Sequence, residues 1–94
     1  MLSQIRIKDR ALSSETGNYY ILFSPPLDSA QIGRLKNQWK AKQKKAAIEA
    51  TTLSDIEVTA NWLTIKCKTL STRLKNQQLK AVLEVVKEVN AIKP

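Results

Sequence analysis

Ninety-four residues with 16 Lys+Arg against 8 Asp+Glu give a net charge of +8, one domain's worth of chain with a strong basic bias. Hydrophobic residues make up 43% of it, too many for a disordered basic tail. One cysteine and no histidine exclude a disulfide framework, a multi-thiolate or histidine metal site and a His-based triad.

In chain order, Gln4-Ile5-Arg6-Ile7-Lys8 alternates polar and apolar, the period of a half-buried strand. Ile5 and Ile7 are expected inward and Arg6 and Lys8 outward, with Leu12 as the strand's furthest extent. The charges at Arg6, Lys8, Asp9 and Arg10 leave no apolar signal-peptide core in this stretch. Tyr19–Phe23 is the longest apolar run, far short of the ~20 residues a membrane span needs. A soluble, cytoplasmic protein without membrane contact is the expectation.

Tyr19–Phe23 reads as the second strand, with Tyr19, Ile21 and Phe23 on one face and Tyr20 and Leu22 on the other. Pro25-Pro26 ends it, since proline cannot donate to a ladder. Asp28 then stands as an N-cap with Gln31 three residues on, the spacing of a capping box. Leu27 and Ile32 are placed for a hydrophobic staple. Ile32, Leu35, Trp39, Ala46 and Ala50 keep close to a helical period, which predicts a helix over 29–50 with Trp39 as a core anchor.

Ile56 and Val58, then Leu63, Ile65 and Cys67, alternate with polar residues and predict a second hairpin turning at Ala60-Asn61, asparagine being tolerant of positive φ. Cys67 is expected to be a buried, inert thiol. Ser71 or Thr72 caps a closing helix over 71–91, whose apolar stripe is Leu79, Val82, Leu83, Val86 and Val89. The fold expected from this order is α+β, a two-layer sandwich of ββαββα order. Its four-stranded, mainly antiparallel sheet carries both helices on one face.

Arg34-Leu35-Lys36-Asn37-Gln38 recurs as Arg73-Leu74-Lys75-Asn76-Gln77. Asn18-Tyr19 and Asn61-Trp62 also open the second strand of each hairpin. An internal ββα duplication within a single domain, 1–94, accounts for this. So does chance reuse of common helix-surface residues.

The excess charge is concentrated. Arg34, Lys36, Lys40, Lys42, Lys44 and Lys45 fall in residues 34–47 with no acid among them, and Lys66, Lys68, Arg73, Lys75 and Lys80 supply the rest. Such a distribution attracts polyanions, and these residues are the candidate nucleic-acid contacts. A solvated lysine-rich face has the same composition, and lysine outnumbers arginine by 12 to 4, which favours general solvation over bidentate phosphate recognition. The sheet face turned from the helices should carry Tyr20 and Trp62 with Thr64, Lys66 and Lys68. Aromatic faces for bases and cations for phosphates make a stacking platform. A half-apolar sheet face is equally a homodimer surface.

Enzyme chemistry is poorly supplied. Gly17 and Gly33 are the only glycines, so a phosphate-cradling glycine loop is excluded. Asp55 and Glu57 share a strand face but lack a third carboxylate partner for a metal. Glu84 and Glu88 read as helix-surface pairs with Lys80 and Lys87. No metal, cofactor or catalytic residue is expected. The reading favoured is a small, non-enzymatic nucleic-acid-binding or nucleic-acid-associated accessory protein. The alternative is a protein-interaction module, a small dimeric or adaptor subunit whose basic helices meet an acidic protein.

Overall fold

Six elements form in the computed structural model, which describes residues 4–92. They are β1 (Ile7–Leu12), β2 (Tyr19–Phe23), α1 (Ser29–Ile48), β3 (Ile56–Val58), β4 (Trp62–Ile65) and α2 (Thr72–Asn90). The fold is α+β in the order ββαββα. Its four strands make one antiparallel sheet ordered β1-β2-β4-β3.

Local chemistry fixes the helix ends. The Asp28 carboxylate accepts the Gln31 N–H at 2.8 Å, and the Gln31 side chain accepts the Asp28 N–H at 2.9 Å, closing the capping box. Leu27 is buried and Ile32 half-buried beside it. Ser71 caps α2, its hydroxyl accepting the Leu74 N–H. At the end of α1, Thr51 N–H reaches Ala46 O and Ala50 N–H reaches Ala47 O, the two bonds of a Schellman motif. Ala50 occupies its left-handed position at φ 59°. It therefore lies past the helix and exposed, not on the apolar stripe where periodicity put it.

Strand alternation sets the core. Ile21, Phe23, Leu63, Ile65 and Val58 are buried with Leu35, Trp39, Val82, Val85, Val86 and Val89 in one cluster. Trp39 is anchored twice, by packing and by its indole N–H donating to Ser54 O at 2.9 Å; truncation to alanine at such a site costs about 3–5 kcal/mol. Cys67 is buried with a free thiol. On α2 the buried line runs through Gln78, Ala81, Val82, Val85, Val86 and Val89, with Leu79 and Leu83 only half-buried at its margin. The buried stripe is rotated from the expected one and takes in Gln78, which is held by two backbone partners. Its Oε1 accepts the Ser54 N–H at 2.8 Å, and its Nε2 donates to Thr52 O at 3.2 Å.

The first strand differs from expectation. Ile5 is buried, but its N–H and C=O are held by the Asn90 side-chain amide at 2.8 and 3.0 Å, so that backbone belongs to the end of α2 and not to the sheet. The register then shifts between Ile7 and Asp9, a bulge that re-aims the strand. All six residues of β1 are exposed, Ile7 among them, because the core cluster takes no residue from this strand.

The second hairpin turns at Ala60-Asn61 as expected, with Val58 opposite Leu63. Neither turn residue has positive φ; among the described non-glycine residues Ala50 alone does. The Thr59 hydroxyl closes the turn instead. It accepts the N–H groups of Asn61 and Trp62 and donates to Trp62 O at 3.1 Å, a side-chain substitute for a primed turn.

The shared letters of the two helices occupy unlike places. Arg34 lies six residues past the cap Asp28, whereas Arg73 lies two past Ser71. Leu35 is 0% exposed and Leu74 41%.

Candidate nucleic-acid interface

Two surfaces hold the candidate residues. The first is the sheet face opposite Ile21, Leu63 and Ile65. Pairing puts Tyr20 across from Thr64, and Thr64 across from Glu57. Leu22 stands across from Trp62, so Tyr20 and Trp62 are diagonal neighbours. Tyr20, Glu57, Trp62 and Thr64 line an open concavity of about 560 Å³ together with Asn18, Lys66, Lys68 and Thr69. Thr64, only 7% exposed, forms its floor, and Trp62, at 44%, stands proud of it. The Tyr20 hydroxyl is held 3.2 Å from the Thr16 hydroxyl, which fixes the phenol ring.

The loop between β1 and β2 builds one end of this concavity. Asn18 Oδ1 accepts the Cys67 N–H at 3.2 Å, and the Cys67 thiol points to Gly17 O. Gly17 lies against Lys68 at φ +73°. Lys66 is paired to Glu57 at 2.9 Å, and that hydrogen bond, with the Glu57 charge, raises the Lys66 pKa above the ordinary lysine value. Lys68 has no salt bridge among the described residues.

The second surface is helical. Gln38 donates to Glu88, and Lys42 bridges Glu84 at 3.1 Å and Glu88 at 3.5 Å. Later α1 residues meet earlier α2 residues, so the helices run antiparallel. Burial works against the Lys42 ammonium, but the Glu84 hydrogen bond and the charges of Glu88 and Glu84 outweigh it and raise the pKa. The acids of α2 are thus engaged across the helix seam, not with Lys80 and Lys87 on their own helix. Lys36, Lys40 and Lys44 are exposed at four-residue steps, a ridge with roughly 6 Å of helix axis between charges. Lys45 is exposed beside it. Together with Lys42 and Lys80 it lines a groove between the helices that also holds Glu49 and Glu84.

Arg34 and Lys75 are half-buried; Arg73 is exposed at the start of α2 and Lys80 midway along it. Of the eleven basic candidates, Lys42 and Lys66 are therefore committed to internal ion pairs, and the others form no salt bridge among the described residues. The partners of Lys42 could not be read from spacing, because they lie on the other helix, whereas Glu57 and Lys66 are diagonal neighbours within the second hairpin.

Comparison with protein families, curated proteins and solved structures finds no match. The site must be read from its own chemistry. Asp55 accepts from Gln43 Nε2 at 3.1 Å and Glu57 from Lys66, and among the described residues no group of three metal-ligating side chains gathers. No helix among them is long and apolar enough to cross a membrane.

Proposed function

We propose that this chain is a small, non-enzymatic nucleic-acid-binding protein that holds a polyanion along the outer face of α1. The observation carrying this reading is the division of labour among the α1 cations. Lys42 takes up Glu84 and Glu88, leaving Lys36, Lys40 and Lys44 exposed and uncompensated by those acids. Long lysine side chains on a regular ridge suit phosphate contacts that position without reading sequence. They match polyanions by charge and not by bidentate geometry.

Triple substitution Lys36→Ala, Lys40→Ala, Lys44→Ala tests the reading. Affinity for a short DNA duplex at 50 mM salt should fall, and the salt slope should shrink by roughly 0.9 for each phosphate that is no longer neutralised. An unchanged affinity and slope contradicts it.

One observation favours the rival reading, a protein-interaction module. All six residues of the edge strand β1 are exposed, Ile7 and Leu12 included, and an open strand edge is a template for added backbone. Failure of any oligonucleotide to bind would favour this second reading.

A further inference from the structure

We infer that the concavity on the open sheet face takes unpaired bases, so that a single strand gains a contact there that a duplex does not make. This rests on the nucleic-acid reading above and deepens it. The two aromatic residues stand diagonally across β2 and β4, a separation of roughly 7–8 Å between backbone positions. That leaves room for a flat ring between them or over either one. The floor, Thr64, is already buried, so a ring laid there meets side chains and not solvent.

The site is held in shape before any ligand arrives. Thr16 fixes the Tyr20 hydroxyl, and the Thr59 turn fixes the backbone of Trp62 at both its N–H and its C=O. Such preorganisation lowers the ordering cost of binding. Charge complementarity identifies the ligand as an anion bearing π-faces. Lys68 stands at the rim without a carboxylate partner among the described residues, while Lys66 stays paired with Glu57. A duplex offers its phosphates to Lys68 but keeps its base faces stacked inside. Only an unpaired strand supplies both groups at once.

The test uses the full chain with a twelve-nucleotide oligothymidylate and the DNA duplex of the same length, by anisotropy at 50 mM salt. Trp62→Ala should weaken single-strand affinity by roughly 5- to 150-fold, the range for removal of one base–aromatic stack, and leave duplex affinity unchanged. Lys68→Ala should reduce the single-strand salt slope by about 0.7. Trp62→Phe, which keeps a ring, should recover most of the affinity, separating stacking from misfolding.

If Trp62→Ala and Trp62→Phe both leave single-strand binding intact while the α1 triple variant abolishes it, the inference is overturned and the nucleic-acid reading stands. Conversion of a dimer to a monomer by Trp62→Ala, with affinity unchanged, overturns it too and assigns the face to self-association. If neither oligonucleotide binds the wild-type chain, both readings fail.

Discussion

Gly17 is pressed against Lys68. A Cβ at Gly17 would stand 3.3 Å from the Lys68 Cα, Cγ and carbonyl oxygen, at a backbone φ of +73°. The loop joining β1 and β2 thereby packs where the Lys68 side chain begins. A residue whose type is chosen by backbone geometry in the first hairpin meets a lysine that follows the second.

Gly17→Ala should destabilise the fold by about 1–2 kcal/mol, the cost of left-handed backbone in an L-residue, with crowding against Lys68 backbone adding to it. Urea unfolding monitored by far-UV circular dichroism measures this as a lower midpoint at unchanged slope. A midpoint equal to wild type would mean that the loop relaxes away from Lys68 without cost.

Ala50 presents the opposite case, a left-handed position without glycine. Relief of its φ of 59° is worth about 1–2 kcal/mol, against about 0.4–1 kcal/mol given up to a freer unfolded chain. Ala50→Gly should therefore stabilise by up to about 1.5 kcal/mol, read as a higher melting temperature. Destabilisation would contradict the Schellman geometry at the end of α1.

Gln78 is 1% exposed and satisfies the backbone of the α1–β3 connection at Ser54 N–H and Thr52 O. Gln78→Leu keeps the volume but removes both partners, and should cost about 1–3 kcal/mol in unfolding free energy. Gln78→Glu, which keeps an acceptor for Ser54 but loses the donor to Thr52, should also be less stable than wild type at neutral pH. Hydrogen exchange at the Ser54 amide locates the effect: its protection should fall most in Gln78→Leu.

What spacing along the chain reveals is local. The Asp28–Gln31 box, the Ser71 cap, the alternation through Leu63, Ile65 and Cys67, and the burial of Trp39 all follow from neighbours within one turn or one hairpin. What it hides is created by packing across elements. Gln78 looks like a surface residue until Thr52 and Ser54 are brought over it. Ile7 looks like core until Asn90 captures Ile5 and the bulge turns the strand. Lys42 is indistinguishable in sequence from the other lysines, because Glu84 and Glu88 reach it only through tertiary structure. The aromatic pair on the sheet face is legible from alternation, whereas the roles of Thr16 and Gly17 in shaping it are not.

The Lys42 bridge has a defined pH signature. Its folded pKa is raised above the ordinary lysine value of 10.5, so the stabilisation is fully present below that value and is lost as pH climbs through the folded pKa. Lys42→Met should lose about 0.2–1 kcal/mol at pH 7, the range for partly exposed ion pairs. The gap between variant and wild type should close as pH rises past the folded pKa. A constant gap at all pH values would assign the loss to packing of the lysine stem.

The salt dependence of oligonucleotide binding by the wild-type chain decides whether the α1 ridge meets phosphates. If Lys36, Lys40 and Lys44 each neutralise one phosphate, the logarithm of the duplex binding constant should fall linearly with the logarithm of salt, with a slope of roughly −3. Absence of binding at 50 mM salt, or binding with a slope near zero, would contradict the assignment of this basic surface to nucleic acid.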